Sequence, residues 1–185
     1  LGLLDGGVDL FQVETCQDML QAKAALRALN RAFRERRCSR PVSLLVTLEK
    51  NRMLLGTDIA TALATFLPFP LFAFGVNCGT GPDEMAEAVR ALAAASPFPL
   101  VVMPNAGLPK FRAGKYVYDL EPAPFARRLR AFVEQDGAAI VGGCCGTTAK
   151  HIRALARSVG GLQPCPLKKT VRGGQATSLF AAQEF

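Results

Sequence analysis

The sequence predicts an α/β fold built on a parallel sheet. Short apolar, β-branched runs alternate with longer stretches of helical period. The short runs are almost continuously apolar, as expected of strands covered on both faces. The chemically loaded residues Glu14, Asn77, Cys78, Asn105, Cys144 and Cys145 all fall at the C-terminal ends of those strands. Two architectures place functional groups there, the open doubly wound sheet and the (β/α)8 barrel. The residues alone leave both open, although no GxGxxG follows a strand to favour nucleotide binding.

The elements follow in order along the chain. LGLLDGG reads as the end of a helix and a turn. Val8–Thr15 is a strand and Gln17–Arg37 its helix, rich in Ala, Leu and Arg. Val42–Leu48 is the next strand, with a helix near Asp58–Phe66. Leu71–Asn77 is the third, followed by a helix from Asp83 to Ala95. Leu100–Pro104 is the fourth; its helix runs over Pro122–Gln135, with Pro122 suited to a first turn. Ala139–Gly143 is the fifth, backed by a helix over Thr148–Val159. Five βα units cannot close an eight-stranded barrel, so the barrel alternative implies about three more units upstream. After Gly161 the pattern decays, and residues 162–185 read as a tail or interdomain linker.

Composition bounds the function. The chain has 185 residues, half of them hydrophobic and 20% charged, which suits a globular domain. The net charge of +7 raises nucleic acid or a membrane surface as partners. The basic residues are scattered, however. Arg34, Arg36, Arg37 and Arg40 cluster at one helix end, Arg127, Arg128 and Arg130 lie on another helix, and Lys168 and Lys169 sit in the tail. Solvated helix faces explain them, so neither nucleic acid nor membrane is expected as a partner. No apolar run is long enough to span a bilayer; LPFPLFAFGV is short and broken by prolines. Six cysteines, two of them adjacent, do not make a disulfide scaffold. A reducing cytoplasm is the expected setting, where clustered cysteines point to metal or catalysis.

Cys78 ends one strand, and Cys144 with Cys145 ends another two units later. A parallel sheet brings such ends to one rim. Three thiolates with a fourth position open make a catalytic type of zinc site, and a thiol bound in that position loses its proton. Gly142, Gly143 and Gly146 flank the pair and let the backbone turn sharply. Thr147 or Thr148 can cap the helix that follows. The competing reading is that the cysteines are small core residues. His151, the only histidine, lies inside the last helix and reads as structural. Cys16, Cys38 and Cys165 read as incidental. Asn105 has a plain turn reading in its PNAG context.

GVNCGTGPDEM (Gly75–Met85), MPNAGLP (Met103–Pro109) and GGCCGTTAKHI (Gly142–Ile152), in that order, resemble the zinc-dependent homocysteine S-methyltransferase family. The resemblance runs from about Val8 to Gly161, and the PNAGLP stretch is most similar to the homocysteine-binding domain of cobalamin-dependent members. It implies a (β/α)8 barrel of TIM type, with residues 1–161 forming its last five units. It also implies Zn2+ held by Cys78, Cys144 and Cys145, and methyl transfer to the thiol of L-homocysteine to give methionine. Glu14, in VETCQD, would bind the substrate ammonium, a natural partner for an acid at that rim. Asn77 would help shape the pocket, and Tyr118, in YVYDLEP, would lie near it. Methylcobalamin on another domain would be the donor, with cobalamin- and folate-binding domains or subunits as partners. Ala149 departs from the family's usual proline at the start of the last helix. The alternative is a non-catalytic zinc-binding remnant, or a subunit needing a partner chain to complete the barrel.

Overall fold

The computed structural model describes residues 1–167 and 175–184. Lys168 and Lys169 lie outside the described residues. A short helix, α1 (Gly2–Asp5), precedes the first strand, β1 (Phe11–Cys16). The chain then alternates through α2 (Met19–Arg36), β2 (Val42–Val46), α3 (Ile59–Phe66), β3 (Ala73–Asn77), α4 (Pro82–Ala95) and β4 (Leu100–Met103). A hairpin follows, β5 (Lys110–Arg112) with β6 (Lys115–Val117), and then α5 (Pro122–Asp136), β7 (Ala138–Val141) and α6 (Ala149–Val159). A second small hairpin pairs β8 (Gln175–Thr177) with β9 (Ala182–Glu184).

Local chemistry sets most of the helix starts. Asp18 accepts hydrogen bonds from the N–H groups of Leu20 and Gln21 and so caps α2. Asp58 caps α3 through the N–H of Thr61. Pro82 and Pro122 open α4 and α5, where a missing N–H costs nothing. Gly137 ends α5 in the left-handed region, at φ 69°.

The sheet settles the choice of architecture. Its order is β1-β2-β3-β4-β7, every pair parallel, so each βα unit lays its strand beside the one before, with no reversal of direction. The pleat sorts side chains onto two faces. Leu44, Val46, Phe74, Val76, Leu100 and Val102 point to one face and pack with residues of α2, α3, α4, α5 and α6. Leu45, Ala73 and Val101 point to the other, where Met103 and Ile140 join them. All the major helices therefore cover one face. A doubly wound sheet carries helices on both faces, so this is the wall of a barrel with its interior on the Leu45–Ala73–Val101 side. Burying one such Leu or Phe contributes roughly 1.5–3 kcal/mol, and the helix-side core is where most of that burial sits.

One hairpin adds to the sequence reading. The hairpin β5–β6 was not expected; its turn is Ala113 and Gly114, both with positive φ (47° and 78°), which fits the twist of a two-residue hairpin. Described residues of the segment after Gly161 also touch the barrel wall. Cys165 donates its N–H to the carbonyl of Val133, and Leu167 lies against Gly137. The β8–β9 turn docks on the start of α3, where Thr57 Oγ1 donates to the carbonyl of Leu179 at 2.7 Å. Among the described residues no helix is long and apolar enough to cross a membrane.

Candidate metal centre

The strand ends converge at one rim, and the three cysteines come together there. Their Sγ atoms all lie within 4.8 Å of one another, and those of Cys78 and Cys145 are 3.7 Å apart. Thiolates about 2.3 Å from a tetrahedral zinc are spaced by about 3.8 Å, so this donor set fits the ion. All six cysteines carry free thiols. Cys16 is buried under α2, and Cys38 and Cys165 lie at the end of α2 and beyond α6, away from the cluster.

Backbone hydrogen bonds hold the cluster. Cys78 takes a left-handed conformation (φ 57°) directly after β3 and donates its N–H to the carbonyl of Met103 at 3.1 Å. Gly79 must be glycine, because a Cβ would fall 2.3 Å from the carbonyl oxygen of Leu48. The Pro104–Ala106 loop grips the cysteine pair at three points. Cys144 N–H donates to the carbonyl of Pro104 at 2.9 Å, Cys145 N–H to Oδ1 of Asn105 at 3.0 Å, and Ala106 N–H to the carbonyl of Cys145 at 2.9 Å. Thr147 closes the turn, its Oγ1 donating to the carbonyl of Cys144 at 2.7 Å. Asn105 is thus more than a turn residue: its buried carboxamide fixes a cysteine 40 positions away. The visible signal was its place at a strand end; the partner was not visible.

Burial, followed by the neighbouring Cys78 thiol, pushes the Cys144 thiol up to about 12. Tyr118 lies against the cluster, its ring packed where a Cβ on Gly146 would sit. Desolvation and then Cys145 raise its phenol above the ordinary tyrosine value. His151 stays apart, as the sequence suggests. Its Nε2 lies 2.8 Å from the carbonyl of Leu120, which can only accept, so Nε2 carries the proton. Its Nδ1 then accepts from the N–H of Thr148 and orders the start of α6. That bond supplies some of the order that a proline at Ala149 would give.

Glu14 sits one residue past the regular β1 pairing, in the stretch where the β1–β2 register shifts. It shares a face with Gln12, whose Nε2 donates to Glu14 Oε2 at 2.9 Å and approaches Met103 Sδ at 3.8 Å. Met103 belongs to the inner face, so the Glu14 carboxylate faces the barrel interior and is exposed there. Asn77 is almost wholly buried, 1% exposed. Its Oδ1 accepts from the N–H of Thr15, and its Nδ2 donates to Thr15 Oγ1, both at 2.9 Å, while Nδ2 lies 4.0 Å from Cys144 Sγ.

A family model described as homocysteine S-methyltransferase matches residues 1–159. The chain belongs to that family. Among curated members it is 47% identical over 160 residues to a methionine synthase of Mycobacterium leprae, covering 86% of this chain and 13% of that protein. It is 42% identical over 186 residues to a methionine synthase of Mycobacterium tuberculosis, covering 100% of this chain and 16% of that one. The chain therefore spans under a fifth of the length of these two relatives. Among solved structures, the apo homocysteine methyltransferase MmuM of Escherichia coli superposes with a TM-score of 0.62 at 26% identity. That match covers 84% of this chain and 51% of MmuM. The homocysteine S-methyltransferase fold thus accounts for the five parallel strands described above.

Proposed function

We propose that this chain is the methyl-acceptor part of a methionine synthase, binding L-homocysteine and transferring a methyl group to its thiol to form methionine. The observation that carries the reading is the trio Cys78, Cys144 and Cys145 at one rim, at a spacing that suits zinc. These three residues would hold the ion. When bound, zinc favours the deprotonated form of a coordinated thiol and so supplies a nucleophile at neutral pH.

The chain's other residues bind and orient. Glu14 faces the interior with an exposed carboxylate and pairs with the substrate ammonium by a charge-assisted hydrogen bond. Asn77 shapes the pocket from behind, since its carboxamide is already engaged by Thr15. Tyr118 walls the cysteine side. Held at both ends, the substrate sulfur is aimed out of the rim for in-line attack on a methyl carbon; the new S–C bond forms as the donor's bond to that carbon breaks. The donor is methylcobalamin carried on another domain or subunit, with a folate-binding domain as a further partner, and residues 162–185 lead toward it as an interdomain linker. The size of the methionine synthase relatives supports this arrangement. The setting is the cytoplasm, in keeping with six free thiols.

The test is direct. Protein purified without chelator should hold about one zinc per chain, and Cys144→Ser should lose it. Zinc-free wild type that also fails to take up added zinc contradicts the reading.

A further inference from the structure

Thr15 (φ 57°) at the end of β1 and Cys78 (φ 57°) directly after β3 both adopt left-handed backbone without being glycine. For a β-branched residue such as Thr15 that conformation is an outlier, and it persists only where surroundings over-determine it. One side chain bonds Thr15 directly. Asn77 reaches from β3 past β2 to β1 and grips Thr15 twice, through its N–H and its Oγ1. The second hydrogen on Nδ2 is left for Cys144 Sγ, 4.0 Å away. Asn77 is itself pinned, since its backbone carbonyl accepts from Thr47 Oγ1 at 3.0 Å. With 1% exposure and every polar atom engaged, its carboxamide has no free atom to offer a substrate.

The grip falls where β1 most needs it. The β1–β2 register is regular from Phe11 to Val13 and shifts before Cys16. Glu14 and Thr15 occupy that gap, so the sheet's own ladder does not fix the Glu14 backbone. The Thr15 turn does, and Asn77 sets the Thr15 turn.

We propose that Asn77 is a positioning residue that ties the acid-bearing end of β1 to the metal cysteines, so that Glu14 and the sulfur cluster keep one fixed relation. The inference rests on the functional reading above for what Glu14 binds, but the tie itself is a property of this chain. A metal-binding residue with no role at Glu14 would affect every thiol ligand alike. A tie acting through Glu14 affects only ligands that carry an ammonium.

The experiment uses the zinc-loaded chain and calorimetry with two probes, L-homocysteine and 4-mercaptobutyrate, which has the thiol and carboxylate but no amino group. Asn77→Ala should weaken homocysteine about tenfold and 4-mercaptobutyrate less than about twofold, in line with losing one oriented charge contact. Glu14→Gln should cost about tenfold in wild type and almost nothing in Asn77→Ala, because the acid is already misplaced there. Should Asn77→Ala fail to fold, Thr15→Val removes only the Oγ1 end of the tie. It should reproduce the selective loss, and Thr15→Ser should restore binding. Cobalt substitution adds a readout free of substrate: the thiolate-to-cobalt absorption should shift in Asn77→Ala, and amide exchange at Thr15 should quicken. Equal weakening of both probes overturns the proposal, as does an undiminished Glu14→Gln effect in Asn77→Ala. Wild type that binds neither probe removes the functional reading. In that case the cobalt spectrum and Thr15 exchange decide the tie, and no change in either overturns it.

Discussion

The two sides of the rim are built differently. On the cysteine side, Cys78, Cys144 and Cys145 are each held by backbone N–H groups that donate to Met103, Pro104 and Asn105. On the acid side, Glu14 stands on a terminal strand of the described sheet, in a register break, with Gln12 and the Asn77–Thr15 contact as its support. The cysteine half is pre-assembled by the fold, whereas the acid half depends on a few side-chain bonds. Under the proposed function, that division suits a site that would hold an ion firmly but take up and release an amino acid.

Variants can separate the halves. The largest effect belongs to the cysteines: losing one of three thiolates should remove roughly a third of the 10–16 kcal/mol typical of structural zinc sites, or about 300- to 8,000-fold in zinc affinity. Asn105→Ala comes next, about 10–100-fold in zinc affinity, because the N–H of Cys145 loses its acceptor. Chelator competition reads both. Glu14→Gln should leave zinc affinity unchanged and weaken homocysteine about tenfold, read by calorimetry. A zinc loss in that variant would erase the distinction between the halves.

Acidity gives a smaller, graded effect. The Cys144 thiol is raised above its unfolded value of 9.0 to about 12, so the metal-free fold holds this proton more tightly than the unfolded chain does. That contribution to stability is present below pH 9.0 and is lost as pH rises toward about 12. Zinc uptake must expel the proton, so apparent zinc affinity should rise about tenfold per pH unit for each proton released, through the neutral range. A flat profile between pH 6 and 8 would mean that the cluster is already deprotonated.

Much of this was legible in the sequence because parallel strands write themselves plainly. Runs such as Val42–Leu48 and Leu100–Pro104 are apolar almost throughout, and Pro122 marks a helix start. The choice between barrel and doubly wound sheet was not legible from the residues. Leu44 and Leu45 are the same residue type and both are fully buried, yet they face opposite sides, and only the structure shows which side carries helices. The β5–β6 hairpin hid in a short polar stretch whose clue was Ala113-Gly114. Asn105 and Asn77 were visible as strand-end residues, but their partners Cys145 and Thr15 lie 40 and 62 positions away, a separation that no local pattern encodes.

The central claim is that three cysteines hold the ion and leave one position for the substrate sulfur. Zinc-edge X-ray absorption on the loaded chain tests it most directly. The account predicts three sulfur neighbours at about 2.3 Å and one lighter atom, becoming four sulfurs when L-homocysteine is added. A first shell that homocysteine leaves unchanged would contradict it.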